Sequence, residues 1–333
     1  MTRSLTIYEV AEAAGVSIAT VSNTLNRPAR VAADTRQRVL AVIDKLGFVP
    51  HQIAAHRART ALDRIGVIAP FTSYPSFGVR LEGVLRALGE SGREVLVFDH
   101  ESAARTPSPL LSALPLSGRL DGLIIMGVPV DQDLAERLLQ RELSTVLIDS
   151  HHPLFTNVIV NDERGGYLAG RHLVDKGIER FLYVSEGQIS TDYISQGQRR
   201  TAGFMRAIVD AGFPRDAVKR LTASSDPDGG RAAARTLLAK SGPPLGILAH
   251  HDLIAAGLVS GLRASGASVP GDFSVVGYDG GPLAETFGLT TVRQPLEQSG
   301  FLGAQQLVQH MQDPTQPTQQ IFVAVELVEG DTT

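Results

Sequence analysis

Residues 6–26, TIYEVAEAAGVSIATVSNTLN, constrain the fold more than any other stretch, because in a short span they spell two amphipathic helices and a tight turn. Thr6 with Glu9 three residues on is a capping-box pattern, which satisfies orphan N–H groups and predicts a helix start near Ile7. Ile7, Val10, Ala11 and Ala14 recur at helical spacing, and Gly15 can take the positive φ that stops a helix. Ser17 can cap a second helix whose Val21 and Leu25, four apart, face inward and leave a short polar outer face. Asp34 with Gln37, followed by Val39, Leu40, Ile43 and Leu46 and then Gly47, predicts a third helix. The three helices are expected to share one small core.

Two short helices and a turn in this order are what a helix-turn-helix reader of duplex DNA requires. The bland alternative is a solvated helical hairpin with ordinary caps. The match, however, is long. The segment resembles the DNA-binding headpiece of the LacI/GalR family of bacterial transcription regulators across Thr6, Ile7, Val10, Ala11, Gly15, Val16, Ser17, Thr20, Val21, Ser22, Leu25 and Asn26. It continues through Val31, Thr35, Arg36, Val39, Leu46, Gly47, Phe48 and Pro50, and the domain that follows is also similar to the family's.

The resemblance implies that Ile18, Ala19 and Asn23 occupy base-facing positions in the major groove. Asn can bond an adenine bidentately, whereas Ile and Ala offer only apolar contact, such as to a thymine methyl. A phosphate contact or plain solvation is the alternative for Asn23. Ser17, Thr20, Ser22, Asn26 and Thr35 carry hydroxyl or amide groups suited to phosphate oxygens, although some will merely cap helices. Arg30 and Arg36 are candidate phosphate or base-edge cations, or solvated surface. HQIAAHRART, 51–60, matches the family's hinge but departs from it: Ala55 stands where an Arg is expected and Arg57 where a wedge Leu is expected. Arg suits a narrow minor groove electrostatically and is a poor apolar wedge, so Arg57 is expected to contact the minor groove or phosphate and bend the duplex less.

Net charge is -4, which argues against a general nucleic-acid coat, but residues 1–62 hold eight Lys/Arg against four Asp/Glu. That is +4 on the first 62 residues and -8 on the rest, a distribution that directs phosphate binding to one end. From Ile65 the pattern changes to short apolar runs separated by amphipathic segments: 65–69, 95–98, 122–126, 145–149, 181–185, 246–249 and 273–279. Such runs suit strands buried on both faces of a parallel sheet covered by helices. The expected fold class is therefore α/β, a small all-α helix-turn-helix headpiece plus a two-lobed doubly wound parallel-sheet domain with about six strands per sheet. The resemblance implies the periplasmic-binding-protein type I fold for that body. The expected boundaries are a headpiece at 1–50, a hinge at 51–63 and an effector-binding and dimerisation domain at 64–330. One lobe would take 64–160 plus 291–320, and the other 161–290 plus 321–330. The Pro/Ser-rich stretch 104–118 reads as a surface connection.

Two-lobed clefts of this kind bind small polar molecules. The resemblance implies that Arg200, in QRRTAG, and Asp279, in GYDG, face the effector, and a cation with a carboxylate suits a vicinal diol. Asp149 and Asp162 lie at comparable strand ends, with a structural salt bridge as the stronger reading. The family commonly has Asn-Asp after the 246–249 run, where this chain has His251-Asp252. His251 could bond a hydroxyl or phosphate, or make affinity pH-dependent near neutrality. Relatives often place an aromatic ring where SSDPDGG offers Ser225 or Pro227, which weakens the case for a flat purine. Phe71 and Tyr74, after the first run, could stack on a sugar face or belong to core or surface.

With no cysteine, disulfides, thiolate catalysis and Cys-type zinc sites are excluded. The adjacent pairs His151-His152 and His250-His251 cannot converge on one ion, and no cofactor is expected. No P-loop, G-x-G-x-x-G or G-x-S-x-G motif is present, so an enzyme is not expected. No signal sequence or membrane-length apolar run is seen, which makes the cytoplasm the expected compartment. The expected partners are duplex operator DNA, a small sugar-like effector and a second copy of the chain, with the protein acting as a repressor. A sugar receptor without a DNA role is the alternative. The tail VELVEGDTT lacks a leucine heptad, so a tetramerising coil is not expected.

Overall fold

The computed structural model describes residues 6–46, 48, 63–89, 91–100, 120–187, 194–240 and 242–333. Gly47, the hinge with Ala55 and Arg57, the 104–118 connection and the side chain of Asn26 lie outside the described residues.

The headpiece contains α1 (Ile7–Ala14), α2 (Ile18–Asn26) and α3 (Ala33–Leu46). The Glu9 carboxylate accepts from both the N–H (2.7 Å) and the hydroxyl (2.9 Å) of Thr6, which locks the start of α1. Gly15 ends it in the left-handed region at φ 63°, and a Cβ there would also be strained. Ser17 Oγ accepts from the N–H of Thr20 at 3.1 Å and caps α2. The third helix differs from expectation at its start. It begins at Ala33, with the Arg36 N–H donating to the Ala32 carbonyl at 2.9 Å, so Asp34 sits in the first turn and not at the cap. Its carboxylate is still placed at the positive end of the helix dipole. Val10, Val21, Val39 and Ile43, all fully buried, close the core with Ala11, Ala14, Leu25, Leu40 and Phe48.

The body is built on two six-stranded sheets. The first runs in the order β11 (Gln320–Val323), β5 (Thr156–Val160), β4 (Ser144–Ile148), β3 (Gly122–Met126), β1 (Arg64–Ala69), β2 (Glu94–Asp99). The second runs β12 (Glu326–Val328), β10 (Thr290–Arg293), β9 (Phe273–Asp279), β8 (Leu245–Ala249), β6 (Phe181–Ser185), β7 (Val218–Thr222). Pairing is parallel from β2 to β5 and from β7 to β10, and antiparallel only between β10 and β12 among the pairs with a stated register. Parallel strands need long crossovers, and helices supply them. These are α4 (Ser76–Leu88), α5 (Gln132–Gln140), α6 (Asp162–Asp175), α7 (Gln196–Asp210), α8 (Pro227–Lys240), α9 (Asp252–Ala264), α10 (Pro282–Phe287) and α11 (Leu296–Gln312). Strands β3, β4 and β8 are buried along their whole length, as two-faced strands must be.

The chain divides into two units: Met1–Thr72, Phe77–Val158 and Gly300–Ile321 in one, and Ser73–Ser76, Ile159–Ser299 and Phe322–Thr333 in the other. The segment from 291 to 299 therefore goes with the second unit, contrary to the expectation that placed it in the first. The reason is backbone pairing: β10 registers parallel to β9, Thr290 against Val276 through Arg293 against Asp279.

Within the second unit, α6 and α7 pack backbone to backbone. A Cβ on Gly166 would lie 1.9 Å from the Arg200 carbonyl oxygen, and one on Gly203 would lie 1.8 Å from that of Glu163. Only glycine permits this approach, which fixes where α7 carries Arg200. Gly203→Ala is expected to lower unfolding free energy by about 1–3 kcal/mol, the usual cost of overpacking a rigid contact. Gly78→Ala, in α4 with nothing within 4 Å of its Cβ position, is expected to be neutral or stabilising. Denaturant unfolding of the two variants measures the difference, and equal midpoints would count against the close-approach argument.

Candidate DNA interface and effector-binding wall

In the headpiece, the core consumes one side of α2 and leaves the other for contact. Ser17, Ile18 and Ala19 are exposed at the start of α2, while Thr20, Ser22 and Asn23 are half-buried behind them. Ile18 keeps 41% of its surface in water and Tyr8, on α1, keeps 68%. Large side chains left exposed beside a tightly filled core make this face a candidate contact surface. Ser17 Oγ and Thr20 Oγ1 lie 2.9 Å apart, so these two hydroxyls already hold each other while capping α2. Arg36 reaches the carbonyls of Pro28 (3.4 Å) and Val31 (3.3 Å), pinning the turn between α2 and α3. Its first task is structural. Arg30 is exposed on that pinned turn, and Thr35 is half-buried in the first turn of α3. Tyr8 is a contact candidate that periodicity passed over, and its signal was an aromatic on the polar side of α1.

The second unit gathers polar side chains at the C-terminal ends of β6, β8 and β9, where parallel α/β sheets hold ligands. Arg200 is its only buried guanidinium among the described residues. Its Nε donates to Asp162 Oδ1 at 2.8 Å, its Nη1 to the His250 carbonyl at 2.5 Å, and its guanidinium carbon stands 3.7 Å from the Tyr278 ring centroid. Burial opposes the charge, and the Asp162 carboxylate overcomes it and keeps Arg200 cationic. The direct partner of Arg200 is thus Asp162, and Asp279 acts on it through space.

Asp279 ends β9 with φ 115°, a strained backbone for a residue with a Cβ, and accepts from Gln294 Nε2 at 2.6 Å. Beside it Asp252, 4% exposed, accepts from Thr291 Oγ1 and from the Gly280 N–H, each at 2.8 Å. Burial, followed by the charge on Asp279, pushes the Asp252 carboxyl up to about 7. Glu186, directly after β6, accepts from the Tyr74 hydroxyl, and burial pushes it up to about 7. Glu186, Gln294 and Thr291 escaped the sequence reading. For Glu186 the available signal was its place immediately beyond a predicted strand.

His251 corrects an expectation. Its Nδ1 accepts from the Ile254 N–H at 3.4 Å as the cap of α9, which leaves the ring proton on Nε2 to donate to Ser225 Oγ at 2.8 Å. Burial, followed by the Arg200 charge, pushes its pKa down to about 4. The ring is neutral near pH 7 and both nitrogens are engaged, so His251 neither titrates near neutrality nor offers a spare nitrogen to a hydroxyl or phosphate. It presents ring surface, with Tyr74 edge-on at 6.4 Å between centroids. His250 faces elsewhere, its Nδ1 2.9 Å from the Tyr183 hydroxyl.

In the first unit, Asp149 directly follows β4 with φ 51° and forms an ion pair with Arg80 of α4, both side chains 3% exposed. The salt-bridge reading of Asp149 is the one the structure realises. Phe71 is half-buried in the turn after β1, and Thr72 ties that turn to Asp99 through its N–H (3.0 Å) and hydroxyl (2.6 Å).

The raised carboxyls carry a pH signature. Asp252 and Glu186 hold protons in the folded chain that an unfolded chain has already released between the ordinary carboxylate range and about pH 7. The stability they contribute is fully present below that ordinary range and is lost as pH rises through about 7. Asp252→Asn with Glu186→Gln is expected to flatten the fall in unfolding free energy between pH 5 and 8. Denaturant titrations across that range test this, and an unchanged slope would show that these groups do not hold the protons.

Comparison with known proteins agrees with this geometry. Residues 6–51 match the bacterial regulatory proteins of the lacI family, and residues 171–333 match the periplasmic binding protein-like domain. The chain is 30% identical over 328 residues, 97% of each chain, to the HTH-type transcriptional repressor PurR of Photobacterium profundum. Among solved structures it is similar to the lac repressor dimer bound to operator and an anti-inducer, at TM-score 0.70 and 25% identity over 99% of each chain. It is also similar to a LacI family regulator from Enterococcus faecium with bound ribose, at TM-score 0.72 and 27% identity, covering 81% of this chain and 98% of that one. The helix-turn-helix, the two parallel sheets and a relative matched over nearly its full length lead to one assignment: this chain belongs to the LacI family of DNA-binding transcription regulators with an effector-binding domain.

Proposed function

We propose that the protein is a repressor that binds a pseudo-palindromic operator as a homodimer and is controlled by a small uncharged polyhydroxylated effector. The observation that carries the effector class is the charge of the second unit's wall. Among the described residues its one buried guanidinium, Arg200, is already neutralised by Asp162, Asp279 accepts from Gln294, and burial holds Glu186 and Asp252 protonated up to about pH 7. Such a wall, its buried cation already paired, offers little to a phosphate or carboxylate ligand, whereas ligand hydroxyls can bond its carboxyl oxygens. The ribose-bound relative supports a sugar as that ligand. A flat heterocycle is the second reading, favoured by the Tyr74 and His251 rings meeting edge to face.

On DNA, Asn23 would supply base discrimination and Ile18 and Ala19 apolar contact, with Ser17, Thr20, Ser22, Arg30 and Thr35 setting register on phosphates. Selection of genomic fragments by the purified protein is expected to yield a two-fold symmetric site. Asn23→Ala should cost roughly 1–3 kcal/mol of discrimination at one base pair of each half-site. A preference for no fragment over any other would end the repressor reading. For the effector, thermal-shift measurements would compare D-ribose, cellobiose, adenine and D-ribose 5-phosphate on wild type, Arg200→Ala and Asp279→Ala. Stabilisation by a neutral sugar that both variants lose is expected. Stabilisation by the phosphate, or equal stabilisation of all three proteins, would refute the assigned wall.

A further inference from the structure

The end of α3 meets α5 through two polar contacts with matched spacing. Asp44 Oδ2 accepts from Arg137 Nε at 2.9 Å, and the Phe48 carbonyl accepts from Arg141 Nη2 at 3.0 Å. Asp44 lies in the last turn of α3 and Phe48 just beyond its end, four residues on; Arg137 lies in the last turn of α5 and Arg141 is its C-cap, also four residues on. The two spacings match.

Both ends are anchored in their own cores. The Phe48 side chain is 3% exposed within the headpiece core, and its N–H closes α3 onto the Ile43 carbonyl at 3.1 Å, so its own carbonyl is held in place. Leu134, Ala135 and Leu138 bury α5 in the core beside β3 and β4, which holds Arg137 and Arg141 outward. The Asp44 and Arg137 side chains are 23% and 14% exposed, so the pair is sheltered from the water that makes surface ion pairs weak. Cations at the C-terminal end of α3 also face the negative end of its dipole. A charged guanidinium on a carbonyl is a charge-assisted bond.

We propose that this contact is a mount: it docks the headpiece on α5, so the DNA-reading helix moves as one body with the first unit. The docked arrangement leaves the reading face open. Ser17, Ile18 and Ala19 on α2, and Tyr8 on α1, stay exposed while Asp44 and Phe48 are engaged. The contact therefore presents α2 and does not mask it, and it gives the first unit a direct grip on the orientation of α2 in addition to the covalent connection.

Backbone 15N relaxation of the full chain tests this without DNA or effector, so its outcome is independent of the proposed repressor and effector assignments. In wild type, the amides of Val10, Val21 and Val39 are expected to report the same rotational correlation time as those of β3 and β4. In Arg137→Gln/Arg141→Gln, the headpiece correlation time should fall severalfold while the body value and the chemical shifts of both cores stay in place. The charge-swapped pair Asp44→Arg/Arg137→Asp should restore slow tumbling relative to Arg137→Asp alone. A headpiece that already tumbles fast in wild type overturns the mount, and so does one that stays slow in the double Gln variant.

Discussion

The second unit depends on one buried charge. A guanidinium removed from water is tolerated only when its charge and donors are met, and Arg200 achieves this by drawing four elements together: Asp162 at the start of α6, the His250 carbonyl after β8, Tyr278 in β9, and its own helix α7. The glycines of α6 and α7 let the two helices approach closely enough to place Arg200, with Gly166 lying against the Arg200 backbone carbonyl. Burial, and after it the Arg200 charge, keeps the rings of His250 and His251 neutral. Removing Asp162 would leave an uncompensated charge in the interior.

Arg200 is neutralised internally by Asp162. A free arginine attracts anions, whereas a paired one positions the groups around it. Burial, and after it the charge on Asp279, makes Asp252 resist ionisation, and both carboxyls are held by protein donors. Asp149 and Asp279, in different sheets, each occupy positive φ at a strand terminus, a conformation that costs energy and is retained where a side chain has to be aimed. In Asp149 that aim is spent on Arg80, so similar backbone placement does not imply a similar role.

The headpiece was legible nearly residue by residue, because caps, stops and helical periodicity are local: Thr6 with Glu9, Gly15 and Ser17 do in the structure what their spacing predicts. The exception, Asp34, failed by two positions, since the helix is capped by the backbone of Ala32. Fully buried strands such as GLIIM and FLYVS were equally plain. Strand β7, VKRLT, was not read, because an edge strand wets one face and its charged residues erase the apolar run. Strands β11 and β12 escaped for a related reason, being short and partly exposed at the sheet edges, while β5 and β10, largely buried, carry Thr, Asn or Arg that breaks up the apolar run.

By itself, the order of residues determined the local elements, the basic end, the alternation of strand with helix and the family, since each of these rests on neighbours within a few positions or on a continuous pattern. Only the tertiary structure decided who pairs with whom. It gave Arg200 to Asp162 in place of Asp279, bound both nitrogens of His251, brought Tyr74 to Glu186, and joined Asp44 to Arg137. Each of these pairings couples residues brought together by packing, and burial then sets protonation, which no linear pattern encodes.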